Sequence, residues 1–366
     1  MALDYRSLNM ITKFDPIPMT AAEDLLSKLG DSKFFSTLDL SKGFWQIPMR
    51  DEDIGKTAFV TPDGHYEFIR MPFDLMNASA TLVKCLKDIL VGIENVSTYT
   101  DDIIIHTKTW ESHLETLNQV LTRINDANMT VKPSKCTFGE TIMEFIGHMI
   151  EDGTIKPNTD KLEKIQSARS PASKKQAQSF LGLIGYYRDY VPQYSHIAAP
   201  LTEITKKGYR NKIKWNDSLQ NSFESLKNLL IKQPILRLPN FDQEFTLRTD
   251  ASVLALEAVL LQEHNGTLFP ISYASRKLLE RERSYGISEK ECLSIVWGIK
   301  KFQKYLYNLP FFLQTDHRCL KYLEESKFSN QRLMRWALAL QCYQFEIEAI
   351  KGSKNIGADY MSQLSE

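Results

Sequence analysis

The stretch Ser97–Thr107, STYTDDIIIHT, limits the folding options of this chain more than any other. Ile103, Ile104 and Ile105 form a short apolar run of β-branched side chains, which suits a buried strand. Asp101 and Asp102 stand at its mouth. A carboxylate that is desolvated without a partner is costly. A single Asp in such a place reads as a turn or cap residue. An aromatic-x-Asp-Asp turn leading straight into a buried strand asks for more: something positive that both acids can hold.

Around this stretch, residues 1 to about 155 alternate strand-like and helical runs. FFSTLDL (34–40) reads as a strand, and TAFVTPDGHYEFIRM (57–71) as two strands around Pro62-Asp63-Gly64. STYTDDIIIHT is then a hairpin with the acids at its turn. Leu82, Leu86, Ile89 and Leu90 recur at the helical period within 77–93. Leu114, Leu117, Val120, Leu121 and Ile124 form one apolar stripe over 110–129. From about 156 the text becomes helical and polar. A second block opens near 240, with strands over 244–252 and 266–275, a helix over 288–307, and strands over 311–317 and 345–352. A short terminal helix starts at Asp359. This order suits a mixed α/β (α+β) chain.

At 366 residues the chain is too long for one ordinary core, so two to four domains are expected. Lysine plus arginine equals aspartate plus glutamate, 45 each, which argues against a passive nucleic-acid coat but leaves room for a local basic groove. Five cysteines, widely spaced and without a CxxC pair, argue against a disulfide framework or a structural zinc site. They fit a reducing intracellular compartment, cytoplasm or nucleus. No run of about 18 apolar residues exists, so no membrane span is expected. The amino-terminal residues lack the apolar core of a signal peptide.

Three acids of the first block can converge. Asp39 lies near the end of STLDL, and if that strand runs beside the STYTDDIIIHT hairpin, it meets Asp101 and Asp102. Clustered carboxylates repel, and a hard divalent cation removes the repulsion; magnesium takes one or two carboxylates plus substrate phosphates. Two such ions about 4 Å apart can activate a hydroxyl and hold a leaving group. In the second block Asp250, Glu291, Asp316 and Asp359 each sit at an element end and suggest another such site. Glu291 has a competing explanation, because Ser288-Glu289-Lys290-Glu291 also reads as a capping box. The stretch KKGYRNKIKW (206–215) carries Lys206, Lys207, Arg210, Lys212 and Lys214 with no acid among them. It reads either as a solvated linker or as a contact to backbone phosphates.

STLDLSKGFWQI, MPFDLMNASAT, YTDDIII, KPSKCTFGETIMEFIGHMI, FLGLIGYYRDYV, LRTDAS, SEKECLSIVWGIKKFQKYLY, TDHRCLKYL and GADYMSQ occur in one order along the chain. In that order they resemble the reverse transcriptase and RNase H segments of a gypsy-type LTR retrotransposon Pol polyprotein, across essentially the whole sequence. The resemblance implies a right-hand polymerase palm and thumb followed by an RNase H-like domain. Its segments would be truncated fingers and palm over 1–155, thumb and connection over 156–239, and RNase H over 240–366. Asp39, Asp101 and Asp102 resemble the polymerase metal triad, and Asp250, Glu291, Asp316 and Asp359 the RNase H carboxylates. Phe44 resembles the gate against a ribose 2′-hydroxyl, and Phe73 in MPFDL the nucleotide-pocket lining. FIGHMI lies where the family has its primer grip. The implied cofactor is Mg2+, with Mn2+ as substitute. The implied partners are an RNA template, a DNA primer, an RNA–DNA hybrid and dNTPs, with protease and integrase segments in the parent polyprotein.

This copy also departs from its family. Asp74 stands where Gly is usual, Ser79 where Pro is, and Leu82-Val83 where Phe-Gln is. Ala255 and Glu257 replace glycines, and Tyr360 a small residue. An acid at position 74, beside the nucleotide pocket, would repel a triphosphate. The fingers strands whose Lys and Arg hold the triphosphate are expected upstream of Met1. Two readings follow. One is an RNA-directed DNA polymerase with RNase H activity. The other is an impaired remnant that keeps the fold and nucleic-acid binding, with RNase H the activity retained. A third, a cellular two-metal nuclease unrelated to transposons, is opposed by the polymerase motifs.

Overall fold

The computed structural model describes residues 3–18, 21–232, 234–315 and 331–349. The chain divides into two compact units, Met1–Ile146 with Ile150–Gly153, and Gly147–Met149 with Thr154–Glu366. Among the described residues no helix is long and apolar enough to cross a membrane.

In the first unit α1 (Arg6–Ile11) and α2 (Ala22–Lys28) precede β1 (Phe34–Asp39). The short α3 (Asp51–Ile54) leads to a hairpin, β2 (Phe59–Thr61) and β3 (Gly64–Tyr66), whose turn is Pro62-Asp63 as the sequence implies. Then come α4 (Ala78–Ile89), β4 (Val96–Tyr99), β5 (Asp102–Thr107), α5 (Trp110–Asp126) and β6 (Thr137–Glu140). The sheet runs β4-β5-β1-β6, antiparallel throughout. β5 is central, so Ile103, Ile104 and Ile105 are all buried. Leu38, Ile103 and Ile105 pack with Leu82 and Leu86 of α4 and Val120 and Ile124 of α5. Burying a side chain of this kind stabilises by about 1.5–3 kcal/mol.

Two buried histidines stiffen the same sheet. His113 of α5 lies 2.7 Å from Ser36 Oγ through Nε2 and 3.0 Å from Thr107 Oγ1 through Nδ1. His106 on β5 lies 3.2 Å from Ser32 Oγ and 3.4 Å from Ser97 Oγ. Burial, aided by the charge of Lys28, pulls the His106 imidazole down to about 4.

β7 (Ile142–Phe145) and β8 (His148–Glu151) form the FIGHMI hairpin, through which the division between the units runs. Its turn residues Ile146 and Gly147 both have left-handed φ, 46° and 72°, as a two-residue type I′ turn requires.

In the second unit β9 (Thr154–Pro157) pairs with β10 (Leu236–Arg237). Between them lie α6 (Thr159–Gln166), α7 (Lys174–Tyr186), α8 (Tyr194–Ile197), α9 (Ala199–Glu203) and α10 (Asp217–Ile231). Ser173 and Gln176 form a capping box at the start of α7. His148 stacks between Tyr186 and Tyr190, and Tyr187 donates its hydroxyl to the Gly147 carbonyl at 2.7 Å. A five-stranded sheet follows: β11 (Phe245–Ala251), β12 (Ala255–His264), β13 (Thr267–Lys277), β14 (Phe311–Thr315) and β15 (Phe345–Ala349). Its order is β13-β12-β11-β14-β15; the first three strands are antiparallel, and β14 and β15 run parallel to β11.

α11 (Glu280–Arg283), α12 (Ile287–Lys301), α13 (Gln303–Leu306) and α14 (Gln331–Leu340) complete this unit. α12 lies close against the sheet at Gly298, where an added Cβ would come within 2.9 Å of Thr249 Cγ2 and 3.2 Å of Ala258 Cβ. The single helix expected over 288–307 is two, because Phe302 leaves helical geometry and buries its ring in the core. The terminal helix expected from Asp359 lies outside the described residues.

Candidate active sites

In the first unit the register of β1 against β5 sets Asp39 directly opposite Asp102. Facing residues of an antiparallel pair share one face of the sheet, with Cβ atoms about 5 Å apart. Asp101 sits in the two-residue turn between β4 and β5. Its neighbour Thr100 has φ 53°, and its hydroxyl donates to Asp101 Oδ1 at 2.9 Å. The sequence places the acids together; the strand register decides which two of them face each other.

The Asp102 carboxyl is raised, first by burial and then by the charges of Asp101 and Asp39, with Lys135 opposing. Lys135 Nζ lies 3.0 Å from Asp39 Oδ2. This cation, 96 positions along the chain from Asp39, was not picked out from the sequence. Asp39 and Asp101 open onto a cavity of about 420 Å³ that Phe44, Phe73, Leu82, Lys42, Lys132 and Lys135 also line. Phe44 and Phe73 meet edge to face at 5.5 Å. Asp39, Asp101 and both expected nucleotide residues therefore line one cavity, and Asp102 stands opposite Asp39 in the register.

Asp39, Asp101 and Asp102 are an all-oxygen donor set, the kind that hard divalent cations take. Among the described residues, however, no three acidic, histidine or cysteine side chains are gathered into a ready metal cage. Asp39 is turned to Lys135 and Asp101 to Thr100. The residues fit the ion in chemistry, and their side chains must turn inward to enclose it.

The expectation for Asp74 is corrected. Its φ of 73° is left-handed, which explains the usual Gly at this position. Its carboxylate is outside the cavity lining and accepts the Tyr5 amide at 3.2 Å, while its carbonyl accepts from Asn9 Nδ2 at 2.7 Å. Asp74 latches the segment around α1, its carboxylate taken up by the Tyr5 amide.

In the second unit Asp250 lies near the end of β11, and Glu291 in the first turns of α12, which packs on that strand. The capping-box reading of Ser288–Glu291 is corrected. The helix is capped two residues earlier, at Gly286, whose amide donates to Glu289 Oε2 at 3.0 Å. Glu289 does the capping, which removes the rival explanation for Glu291. Burial raises the Asp250 carboxyl. Asp316 and Asp359 lie outside the described residues. Glu257, noted in the sequence only as a departure from Gly, sits directly opposite Asp250. Burial, then the charge of Asp250, push Glu257 up to about 7 against a hydrogen bond from Gln193. Gln193, Arg248, Asp250, Glu257 and Tyr273 line a small cavity of about 40 Å³.

The basic stretch is held rather than loose. Lys174 N donates to Asn211 O at 3.0 Å, and Ser173 bridges Lys212. Ile213 is buried, and Trp215 Nε1 donates to Gln220 Oε1 at 2.6 Å. Lys206 pairs with Glu203 at 2.7 Å, and Lys207, Arg210, Lys212 and Lys214 are exposed.

A family model described as reverse transcriptase (RNA-dependent DNA polymerase) matches residues 1–150, and one described as the RNase H-like domain found in reverse transcriptase matches residues 240–343. The chain is 44% identical over 368 residues to the retrovirus-related Pol polyprotein from transposon 297 of Drosophila melanogaster, a match covering 100% of this chain and 34% of that protein. It is 34% identical over 371 residues to the transposon Tf2-3 polyprotein of Schizosaccharomyces pombe, covering 100% of this chain and 28% of that protein. The chain thus spans about a third of the length of these curated relatives. The solved foamy viral protease–reverse transcriptase in complex with double-stranded DNA matches with a TM-score of 0.87 at 25% identity, over 96% of this chain and 75% of that one. Both domain families use divalent metal ions. The chain carries a reverse transcriptase domain followed by an RNase H-like domain, and belongs with the Pol polyproteins of gypsy-type LTR retrotransposons.

Proposed function

We propose that this chain copies RNA into DNA at the Asp39–Asp101–Asp102 site and cleaves the RNA of an RNA–DNA hybrid at a site built around Asp250 and Glu291. The observation that carries the polymerase reading is the register setting Asp39 opposite Asp102, at the head of a cavity shared with Asp101, Phe44 and Phe73. These three carboxylates would hold Mg2+, or Mn2+ in its place. When bound, such ions activate a hydroxyl and stabilise a leaving phosphate. The chain's residues do the rest. Phe44 walls the cavity and favours a dNTP by excluding a ribose 2′-hydroxyl, and Phe73 holds its ring edge-on. Lys42 and Lys132 offer charge to the phosphates. In the second site Asp250, Glu291, Asp316 and Asp359 would take the metal ions.

The working partners are an RNA template, a DNA primer, the hybrid they form and dNTPs. Lys207, Arg210, Lys212 and Lys214, with Lys206 beside them, contact backbone phosphates of that duplex. The segments 1–155, 156–239 and 240–366 serve as fingers with palm, thumb with connection, and RNase H, within a parent that also supplies protease and integrase. The work takes place in a reducing intracellular compartment.

Extension of a labelled DNA primer on an RNA template, with dNTPs and magnesium, tests the first activity. Extension is expected with the wild-type chain and none with Asp101→Asn/Asp102→Asn. A folded, hybrid-binding protein that extends nothing would favour the impaired remnant. For the second activity, Asp250→Asn is expected to abolish RNA cleavage while leaving hybrid affinity nearly unchanged; undiminished cleavage would overturn the assignment.

A further inference from the structure

We propose that Lys135 is a resident counter-cation of the palm site, and that a divalent ion enters by displacing its ammonium from Asp39. The inference rests on reading Asp39, Asp101 and Asp102 as a metal site.

Three negative groups at one rim need a positive neighbour to stay charged and folded together. Lys135 Nζ supplies it, 3.0 Å from Asp39 Oδ2. The pairing is built into the backbone. Lys132 N donates to Asp39 O at 2.8 Å, Leu40 bridges Val131, and the turn Pro133–Lys135 then carries the lysine to the cavity. The carboxylate is mostly sheltered, with 19% of its side chain exposed, whereas the lysine is 56% exposed. The pair is therefore sheltered at its acid end and open to solvent at its cationic end, which is the arrangement an exchange requires. Asp39 is the one acid of the three that the lysine grips, and Asp101 is meanwhile turned to the Thr100 hydroxyl. This accounts for carboxylates that are neighbours in register yet not gathered around one point.

Exchange brings the three carboxylates closer to neutrality, because a divalent ion carries one more positive charge than the ammonium it displaces. One ammonium leaves the carboxylates, a divalent ion replaces it, and the lysine stays in the cavity beside Lys42 and Lys132. An ion pair whose cationic end is solvated gains only a fraction of a kcal/mol to about 1 kcal/mol. Lys135 is thus a weak competitor, which lowers metal affinity without closing the site.

The test is a Mn2+ titration followed by electron paramagnetic resonance of the unbound ion. It uses the full chain without nucleotide or nucleic acid, in an Asp250→Asn/Glu291→Gln background that silences the second site. Lys135→Met is expected to bind Mn2+ about two- to fivefold tighter. Lys135→Arg, which keeps the cation, is expected to match the parent protein. Without metal, Lys135→Met is expected to melt at a lower temperature and to gain more from added Mn2+. Unchanged or weaker Mn2+ binding by Lys135→Met, in a protein whose binding is lost with Asp101→Asn/Asp102→Asn, overturns the role of Lys135 alone. Binding insensitive to Asp101→Asn/Asp102→Asn overturns the metal-site reading, and the exchange with it.

Discussion

At Thr100 the chain places a β-branched residue at φ 53°, in a turn position where Gly is the usual occupant. Holding such a conformation costs about 1–3 kcal/mol. The return is a hydroxyl that orients Asp101. Thr100→Gly is expected to raise the melting temperature, by relief of about 1 kcal/mol, and to slow primer extension because Asp101 loses its orienting partner. A slower enzyme with no gain in stability would remove strain from the account. Asp74→Gly is expected to leave the KM for dNTP unchanged within about twofold, since the carboxylate faces the Tyr5 amide; a marked fall in KM would restore the repulsion reading. That positions 39, 101 and 102 come together was legible in the sequence because acids beside a buried strand are costly without a reason. Asp74 was misread because its partner, Tyr5, is 69 positions away and its left-handed backbone has no signature in a side chain that tolerates it. Glu291 was ambiguous because Ser288 looks like a helix cap, while the chain uses Gly286.

Among elements, the strands with β-branched runs and the helices with one apolar stripe were legible, including the helices around 77–93 and 110–129 and the β2–β3 hairpin. β12 was not, because ALEAVLLQEH lacks a regular alternation: it is an inner strand of the sheet, packed by α12. The break at Phe302 was hidden by an apolar period that continues through it. The contact of α12 with the sheet gives a sharp prediction. Gly298→Ala would press a methyl into Thr249, which is buried, and Ala258, whose Cβ is fixed to the strand backbone. Overpacking of this kind costs about 1–3 kcal/mol, against about 1 kcal/mol of helix propensity gained. A net loss in urea midpoint is expected; a gain would mean that the sheet yields more readily than its packing suggests.

For the whole molecule, acid acts unequally on the two units. His106 lies in the first and His148 in the second, and burial holds each at about 4. A histidine so depressed stays neutral in the fold but takes a proton when unfolded. Its stabilising effect is therefore present above about 6.5 and lost as pH falls toward 4, by about 3 kcal/mol per group. Glu257, also in the second unit, shifts the other way, to about 7. Its contribution is lost as pH rises through about 7 and regained on acidification. The two nearly cancel in the second unit. In the first, His113 shifts with His106, and the raised Asp102 opposes them. Between pH 7 and 5 the first unit is expected to lose protection sooner, measurable as amide exchange or proteolytic cleavage within residues 34–126 before 245–301. Equal loss would mean that the unfolding is shared. The facing of Asp39 and Asp102 also makes β1 a counting device. Side chains alternate along a strand, so one residue inserted between Phe35 and Asp39 would send that acid to the other face and turn the buried Leu38 out of the core with it. Length changes at the Pro62-Asp63 turn would be borne, whereas a single-codon insertion in β1 would take chemistry and core packing away together.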